Sequence, residues 1–323
     1  MGELAELLEP RRDGAIVQVS DLVKRYRKGK TNAVDGISFA VQRGEFFALL
    51  GPNGAGKTTT ISILTTTLAP TSGRVTIAGR DVVTDASAVR RKVGIIFQNP
   101  SLDMNLTGEE NVRFHAILYG LFPYRPRFAM MPSAYRQQVT ELGKLLDIEA
   151  EMFRPIKVLS GGTRRKLEII RSLMHRPEVL FLDEPTRGLD VNGRRSLWTY
   201  LRGVQAAGTT VFLTTHYLEE AEGADSVCII NKGRVVAFGS PSGIKAQTTS
   251  ESLVIDATDR ARLRSELHAR GVAFTETPFF NVELKNGNTH QLLKALETPL
   301  TLVRVHQPTL EEAYVSIVAG ADD

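Results

Sequence analysis

The sequence has almost no cysteine, few aromatic residues, little excess charge and no long apolar run. One cysteine in 323 residues excludes an intrachain disulfide framework and points to a reducing compartment. Cys228 sits in the apolar run 227–230 and reads as a small buried hydrophobe. The longest apolar runs, such as 46–50 and 179–182, fall far short of the roughly 18 residues that span a bilayer, so a soluble chain is expected. A net charge of only +4 with sparse aromatics argues against a dedicated nucleic-acid binder. It fits a protein that handles anionic phosphates or works near anionic lipid. Residues 1–14 carry Glu3, Glu6 and Glu9 before Arg11 and Arg12, the wrong order for a secretory signal, and read as a frayed tail. Gly2 does not read as a myristoylation site, because Glu6 stands where Ser or Thr is required.

Two kinds of hydrophobic pattern are present. Short alternating runs at 16–19, 37–41 and 74–77, punctuated by glycines, predict a small antiparallel sheet. The runs 46–50, 179–182 and 210–213 are almost wholly apolar, as in strands covered on both faces of a parallel sheet. Residues 99–174 repeat at helical spacing around Val112, Ala116 and Tyr119 and around Val139, Leu142 and Leu146, predicting a helical subdomain with a Pro-rich loop at 122–132. After Gly239-Ser240-Pro241 the composition turns polar. Residues 242–323 spell βαββαβ: strands near 252–255, 272–275, 281–285 and 301–305, helices near 259–270 and 289–297, then a last helix over 309–318. The expected fold is α/β, divided into a tail (1–14), a main domain (15–241) and a small C-terminal α+β domain (242–323), read as ferredoxin-like.

Gly51-Pro52-Asn53-Gly54-Ala55-Gly56-Lys57-Thr58 matches the G-x-x-x-x-G-K-[ST] phosphate loop. A buried-type strand precedes it, and a helix with Ile61, Leu64 and Leu68 on one face is expected after it. Phosphate oxygens must be approached by backbone N–H groups, so glycines at 51, 54 and 56 let the chain wrap the anion at a helix N-terminus. Lys57 supplies a point charge toward the β- and γ-phosphates, and Thr58 offers a hydroxyl to Mg²⁺. Kinases, GTPases and helicases share this loop, so it names a P-loop NTPase core and no more. The strand 179–182 ends in Asp183-Glu184-Pro185. Adjacent carboxylates at a strand exit diverge, which suits Asp183 as a ligand of the metal shell and Glu184 as the base orienting the attacking water.

Upstream lies Leu159-Ser160-Gly161-Gly162-Thr163, a hydroxyl and glycine amides at a predicted helix start, suited to a second anion. This run resembles the signature sequence of ABC nucleotide-binding domains, and with the phosphate loop and Asp183-Glu184 the resemblance covers about 16–239. Thr163 stands where many members have Gln. The following Arg164, Arg165 and Lys166 read as a solvated helix face or interface charge.

The resemblance implies further roles. Tyr26 would stack on adenine, the alternative being a plain surface tyrosine, and Thr59 completes the ATP-contacting loop. Gln98 would touch Mg²⁺ or water and link the core to the helical subdomain. Asp190 would contact the opposite subunit, and His216 would hydrogen-bond the γ-phosphate. It implies ATP and Mg²⁺ as cofactors, a head-to-tail dimer with a second copy of the chain or a related ATPase subunit in which Ser160, Gly161 and Gly162 complete the other subunit's site, and a separate transmembrane permease docking near 98–106 on the cytoplasmic face of the membrane. Pro308-Thr309-Leu310-Glu311-Glu312-Ala313-Tyr314 resembles the tail of daunorubicin-resistance ATPases that pair with ABC-2 permeases, which favours export of a drug, lipid or glycan-like molecule. A cap over the dimer edge is the other reading of that tail. A translation or DNA-repair ABC factor would be expected to carry two such domains or a coiled-coil insertion, and this chain shows one phosphate loop and no heptad run.

Overall fold

The computed structural model describes residues 14–27, 29–97, 101–187, 189–248, 252–283, 289–306 and 308–320. The chain divides into two units, Met1–Ser240 and Pro241–Asp323. Pro241 opens a helix of the second unit.

The first unit starts with β1 (Ala15–Lys24) and β2 (Val34–Gln42), which mix buried and part-exposed positions, unlike the wholly buried strands that follow. The buried strand β3 (Phe46–Leu50) leads through the phosphate loop into α1 (Lys57–Leu64). β4 (Ser72–Ile77) and β5 (Arg80–Asp81) complete an antiparallel sheet of order β2-β1-β4-β5, as the alternation of 16–19, 37–41 and 74–77 predicted. Helix α1 ends earlier than expected. Thr65 and Thr67 turn their hydroxyls onto the Ile61 and Ser62 carbonyls and Thr66 takes a φ of 62°, so this β-branched run closes the helix. Leu68 therefore packs on the core from beyond the helix.

After α2 (Ala86–Lys92) and β6 (Val93–Ile96) come the helices of the helical subdomain, α3 (Gly108–Leu118), α4 (Ser133–Leu145) and α5 (Gly161–Leu173). Thr107 and Glu110 form a capping box on α3, a device that stabilises a helix start by about 1 kcal/mol. Residues 122–132 connect α3 and α4 as an irregular segment with one short 3₁₀ turn, Phe128–Met130. Val112, Ala116, Val139 and Leu146 are buried, whereas Tyr119 is exposed on one side.

The chain then runs through β7 (Val179–Asp183), α6 (Val191–Ala206), β8 (Thr210–Thr215), α7 (Leu218–Glu222), β9 (Ser226–Asn231) and β10 (Arg234–Gly239). The second sheet has the order β10-β9-β3-β8-β7-β6, parallel except for β10. Every residue of β3, β7 and β8 is buried, the expected condition of strands covered on both faces. Phe39 of β2 stacks on Phe47 at 5.4 Å, and Phe212 lies 4.8 Å from Phe47 and 5.2 Å from Phe181, so aromatic rings join the two sheets. Each such fully buried ring stabilises the fold by roughly 1.5–3 kcal/mol. Register decides where function can sit: Leu50 pairs with Thr215 and Asp183 with Thr214, so β3, β8 and β7 end at one level. Ligands of open α/β sheets bind outside these carboxyl ends.

The second unit holds α8 (Pro241–Thr248), β11 (Ser252–Ala257), α9 (Arg260–Ala269), β12 (Phe274–Glu276), β13 (Phe280–Glu283), α10 (Thr289–Ala295), β14 (Leu300–His306) and α11 (Leu310–Gly320). Its sheet is antiparallel with the order β12-β13-β11-β14, and α9 contributes Leu263 and Leu267 to a core with Leu253, Ile255, Phe280 and Val282. Helices α8 and α11 pack on each other. Among the described residues no helix is long and apolar enough to cross a membrane.

Candidate functional site

The loop after β3 is shaped by close backbone approaches. A Cβ on Gly51 would lie 2.4 Å from the Ile230 carbonyl oxygen, and one on Gly56 would lie 2.5 Å from that of Ala33. Gly56 also has a φ of 108°, where any side chain is strained. Gly56 is the N-cap of α1 and no side chain caps that helix, which leaves its first-turn amides available to an anion. Lys57 is buried, and its ammonium donates to the carbonyls of Gly51 (2.7 Å) and Pro52 (3.1 Å). Burial lowers its pKa from the ordinary lysine value, opposed by the nearby Glu184 and Asp183. Asn53, Gly54, Gly56, Lys57, Thr58 and Thr59 line a cavity of about 290 Å³ with Ala33, Glu184 and Arg187. Ala55 is buried and donates its amide to Pro52.

The ends of β7 and β8 form the opposite wall. Asp183 is buried and accepts from the Thr214 hydroxyl at 2.5 Å and from the Thr58 side chain. Burial pushes its pKa above the ordinary carboxylate range, with those hydrogen bonds opposing. Glu184 Oε1 lies 4.0 Å from Lys57 Nζ and 3.2 Å from His216 Nδ1, while Oε2 lies 3.8 Å from Arg187. Glu184 has a φ of 44°, a left-handed conformation rare for a residue with a side chain. Its amide is pinned between the carbonyl (3.2 Å) and hydroxyl (3.1 Å) of Thr214. One basic amine, two carboxylates, a hydroxyl and an imidazole thus converge beside a glycine-walled cavity. That set suits an anionic substrate and a proton acceptor aimed at it.

The residue set proposed from sequence divides in two. Tyr26 joins the cluster: its hydroxyl is 3.2 Å from Thr59 Oγ1 and its ring is half exposed. Ser160, Gly161, Gly162 and Asp190 do not line this cavity. Ser160 caps α5, accepting from the Thr163 amide at 3.1 Å, and Asp190 caps α6, accepting from the Gly193 amide at 2.7 Å. Both cap residues are exposed at the starts of helices. Gln98 lies outside the described residues.

The basic run after the signature corrects an expectation. Arg165 is buried, not solvated, because it sits four residues before Ile169 on the covered face of α5. Its guanidinium donates to the carbonyls of Phe97 (2.7 Å), Pro185 (3.2 Å) and Asp183 (3.4 Å) and pairs with Glu168 at 2.9 Å. Arg164 bonds the Lys157 carbonyl at 3.4 Å and Lys166 packs on the Tyr200 ring, so neither is freely solvated. The i,i+3 partner Glu168 was the signal in the sequence. Thr214 and Glu220 were also missed. Buried Glu220 accepts from Thr215 at 2.6 Å and from Thr186, tying the segment before His216 to the segment after Glu184.

Residues 34–187 match a family described as ABC transporter. Over 238 residues the chain is 40% identical to the daunorubicin resistance ATP-binding protein DrrA3 of Streptomyces coeruleorubidus, covering 73% of this chain and 72% of that one. Over 228 residues it is 41% identical to Nod factor export ATP-binding protein I of Ralstonia nicotianae, covering 70% and 67%. Among solved structures, the ATP-binding subunit of an ABC transporter aligns with a TM-score of 0.63 at 31% identity, over 72% of this chain and 92% of that one. A dimeric ATP-binding cassette in a post-hydrolysis state, bound to ADP and Pi, aligns at 0.61 and 27%, over 69% and 98%.

Proposed function

The chain belongs to the ABC transporter ATP-binding family, and from that membership we propose that it works as one half of a head-to-tail ATPase dimer that energises a separate permease. It is an ATP-binding subunit whose reaction is ATP hydrolysis. The observation that carries the mechanism is the convergence of Lys57 and Glu184 across the phosphate-loop cavity, 4.0 Å apart.

In this reading Gly51 to Thr59 bind the triphosphate through backbone amides, and Lys57 exchanges its carbonyl contacts for the β- and γ-phosphates. Tyr26 covers the adenine. Glu184 orients the attacking water and takes its proton at a carboxylate oxygen, and His216, 3.2 Å from that carboxylate, holds the γ-phosphate side. Mg²⁺ supplies charge neutralisation on the phosphates when bound. Thr58 and Asp183 would hold it, with Gln98 as a further ligand; the Thr58–Asp183 hydrogen bond supports this, because Mg²⁺ is ordinarily held by one or two carboxylates plus phosphates. Ser160, Gly161 and Gly162 would meet the partner's γ-phosphate, and Asp190 would contact the partner subunit. The exposed position of Ser160 at a helix start supports this, as does the dimeric state of the aligned cassette.

The permease would place this subunit on the cytoplasmic face of the membrane, docking beside 98–106. Phe114 and Leu118, exposed on one face of α3, support an apolar partner surface in the helical subdomain. Names of relatives that specify daunorubicin resistance and Nod factor export support export of a drug, lipid or glycan-like substrate, through an ABC-2 type partner. Units 15–241 and 242–323 would then be the motor and a ferredoxin-like accessory domain.

The test is Glu184→Gln. The variant should bind ATP with unchanged affinity and run as a stable dimer in ATP and Mg²⁺ by light scattering. A variant that stays monomeric, or hydrolyses at the normal rate, removes Glu184 from the role of base.

A further inference from the structure

The backbone at Glu184 holds a conformation that non-glycine residues rarely adopt, with a φ of 44°. Such positions persist only when their surroundings over-determine them. Thr214 holds the amide side, and the Glu184 carbonyl accepts from the Arg187 amide at 3.2 Å. The peptide units on either side are held by a single group: the Arg165 guanidinium donates through Nη2 to the Asp183 carbonyl (3.4 Å) and through Nε to the Pro185 carbonyl (3.2 Å). Arg165 in turn is oriented by Glu168, whose other oxygen accepts from the Ser101 amide at 2.8 Å, while Nη1 reaches the Phe97 carbonyl at 2.7 Å. This pair is buried, with 7% and 2% of the residues exposed, so solvent does not compete for these bonds.

We propose that Arg165 is the positioning residue for Glu184: its fork fixes the carbonyls before and after the base and thereby aims the carboxylate at the cavity. A planar fork reaches several acceptors in a fixed geometry, whereas an ammonium is a point charge, so lysine does not replace it. Arg165 does not line the phosphate-loop cavity and acts through the backbone of 183–185. It stands one turn into α5, the helix capped by Ser160, so one rigid element carries both the proposed contact to the partner's nucleotide and the clamp on its own subunit's base. This inference rests on Glu184 being the base.

Removing Arg165 alone leaves Glu168 buried without its partner and threatens the fold. The test therefore uses Arg165→Met with Glu168→Gln, which removes both charges and keeps an acceptor for Ser101, beside Arg165→Lys, which keeps the charge and loses the fork. Both should retain thermal stability close to the parent and ATP affinity within threefold, while kcat falls at least tenfold and KM stays within threefold. Placed on Glu184→Gln, neither should lower single-turnover hydrolysis further. A folded, ATP-binding variant with kcat within twofold of the parent overturns the proposal, as does an additive loss on Glu184→Gln. If the double variant fails to fold, Arg165→Lys decides by the same thresholds. Normal hydrolysis by Glu184→Gln alone would instead sink the assignment of the base.

Discussion

Three glycines of the phosphate loop separate two physical costs. Gly54 has a φ of 82° and open space where a Cβ would stand, so Gly54→Ala meets backbone strain alone, about 1–2 kcal/mol. At Gly51 the added Cβ would lie 2.4 Å from the Ile230 carbonyl, and Gly51→Ala meets a clash with main chain that cannot rotate away, about 1–3 kcal/mol for overpacking. Gly56 combines both, with a φ of 108° and a Cβ 2.5 Å from the Ala33 carbonyl, so Gly56→Ala should cost about 2–5 kcal/mol. Urea unfolding without nucleotide measures this. The only tryptophan, Trp198, stacks on Phe46 at 4.7 Å, so its fluorescence reports the ATPase unit. The expected order of midpoints is Gly54→Ala highest and Gly56→Ala lowest. Equal midpoints for these two variants would refute the close approach at Ala33 as the reason for that glycine.

Tyr26→Ala should weaken ATP binding roughly two- to tenfold, the range of an aromatic stacking energy, and Tyr26→Phe should keep it; calorimetric titration showing unchanged affinity for Tyr26→Ala would remove Tyr26 from the adenine site. Partly buried His115 is held down to about 4 by desolvation, with Arg171 and His175 adding to the effect. The unfolded chain takes up that proton first, so stability should fall as pH drops from about 6.5 to about 4, by up to about 3 kcal/mol. His115→Phe, which keeps a ring against Tyr119, should flatten that limb in urea midpoints measured across pH; an unchanged slope would place the acid sensitivity elsewhere.

The sequence made the phosphate loop and Asp183-Glu184 legible because their chemistry is local: glycine spacing, one lysine, and carboxylates at the end of an apolar strand. The strand order was not local. That Leu50, Asp183 and Thr215 finish at one level follows from β8 pairing both with β7, just before it in the chain, and with β3, more than a hundred residues earlier. Side chains whose partners are remote were misread for the same reason. Arg165 lies in a basic run that resembles a solvated face; Glu168 three residues on is a local partner, but the remote carbonyls of Phe97, Asp183 and Pro185 have no signal in the sequence. Leu68 was placed on α1 from its spacing, but Thr65 and Thr67 supply hydroxyls that compete with helix continuation. The left-handed backbone of Glu184 has no sequence signal, since glutamate is an ordinary residue at a strand exit.

The central claim is that each working site is built from two copies of the chain. Subunits carrying Lys57→Ala lack the phosphate clamp, and subunits carrying Ser160→Arg lack the proposed contact to the partner's nucleotide. Each variant alone should hydrolyse ATP at background. Mixed in equal amounts, they form heterodimers with one intact composite site, and the account predicts that hydrolysis returns in the mixture. Persistent silence of a mixture shown to form heterodimers, or full activity of Ser160→Arg alone, would contradict it.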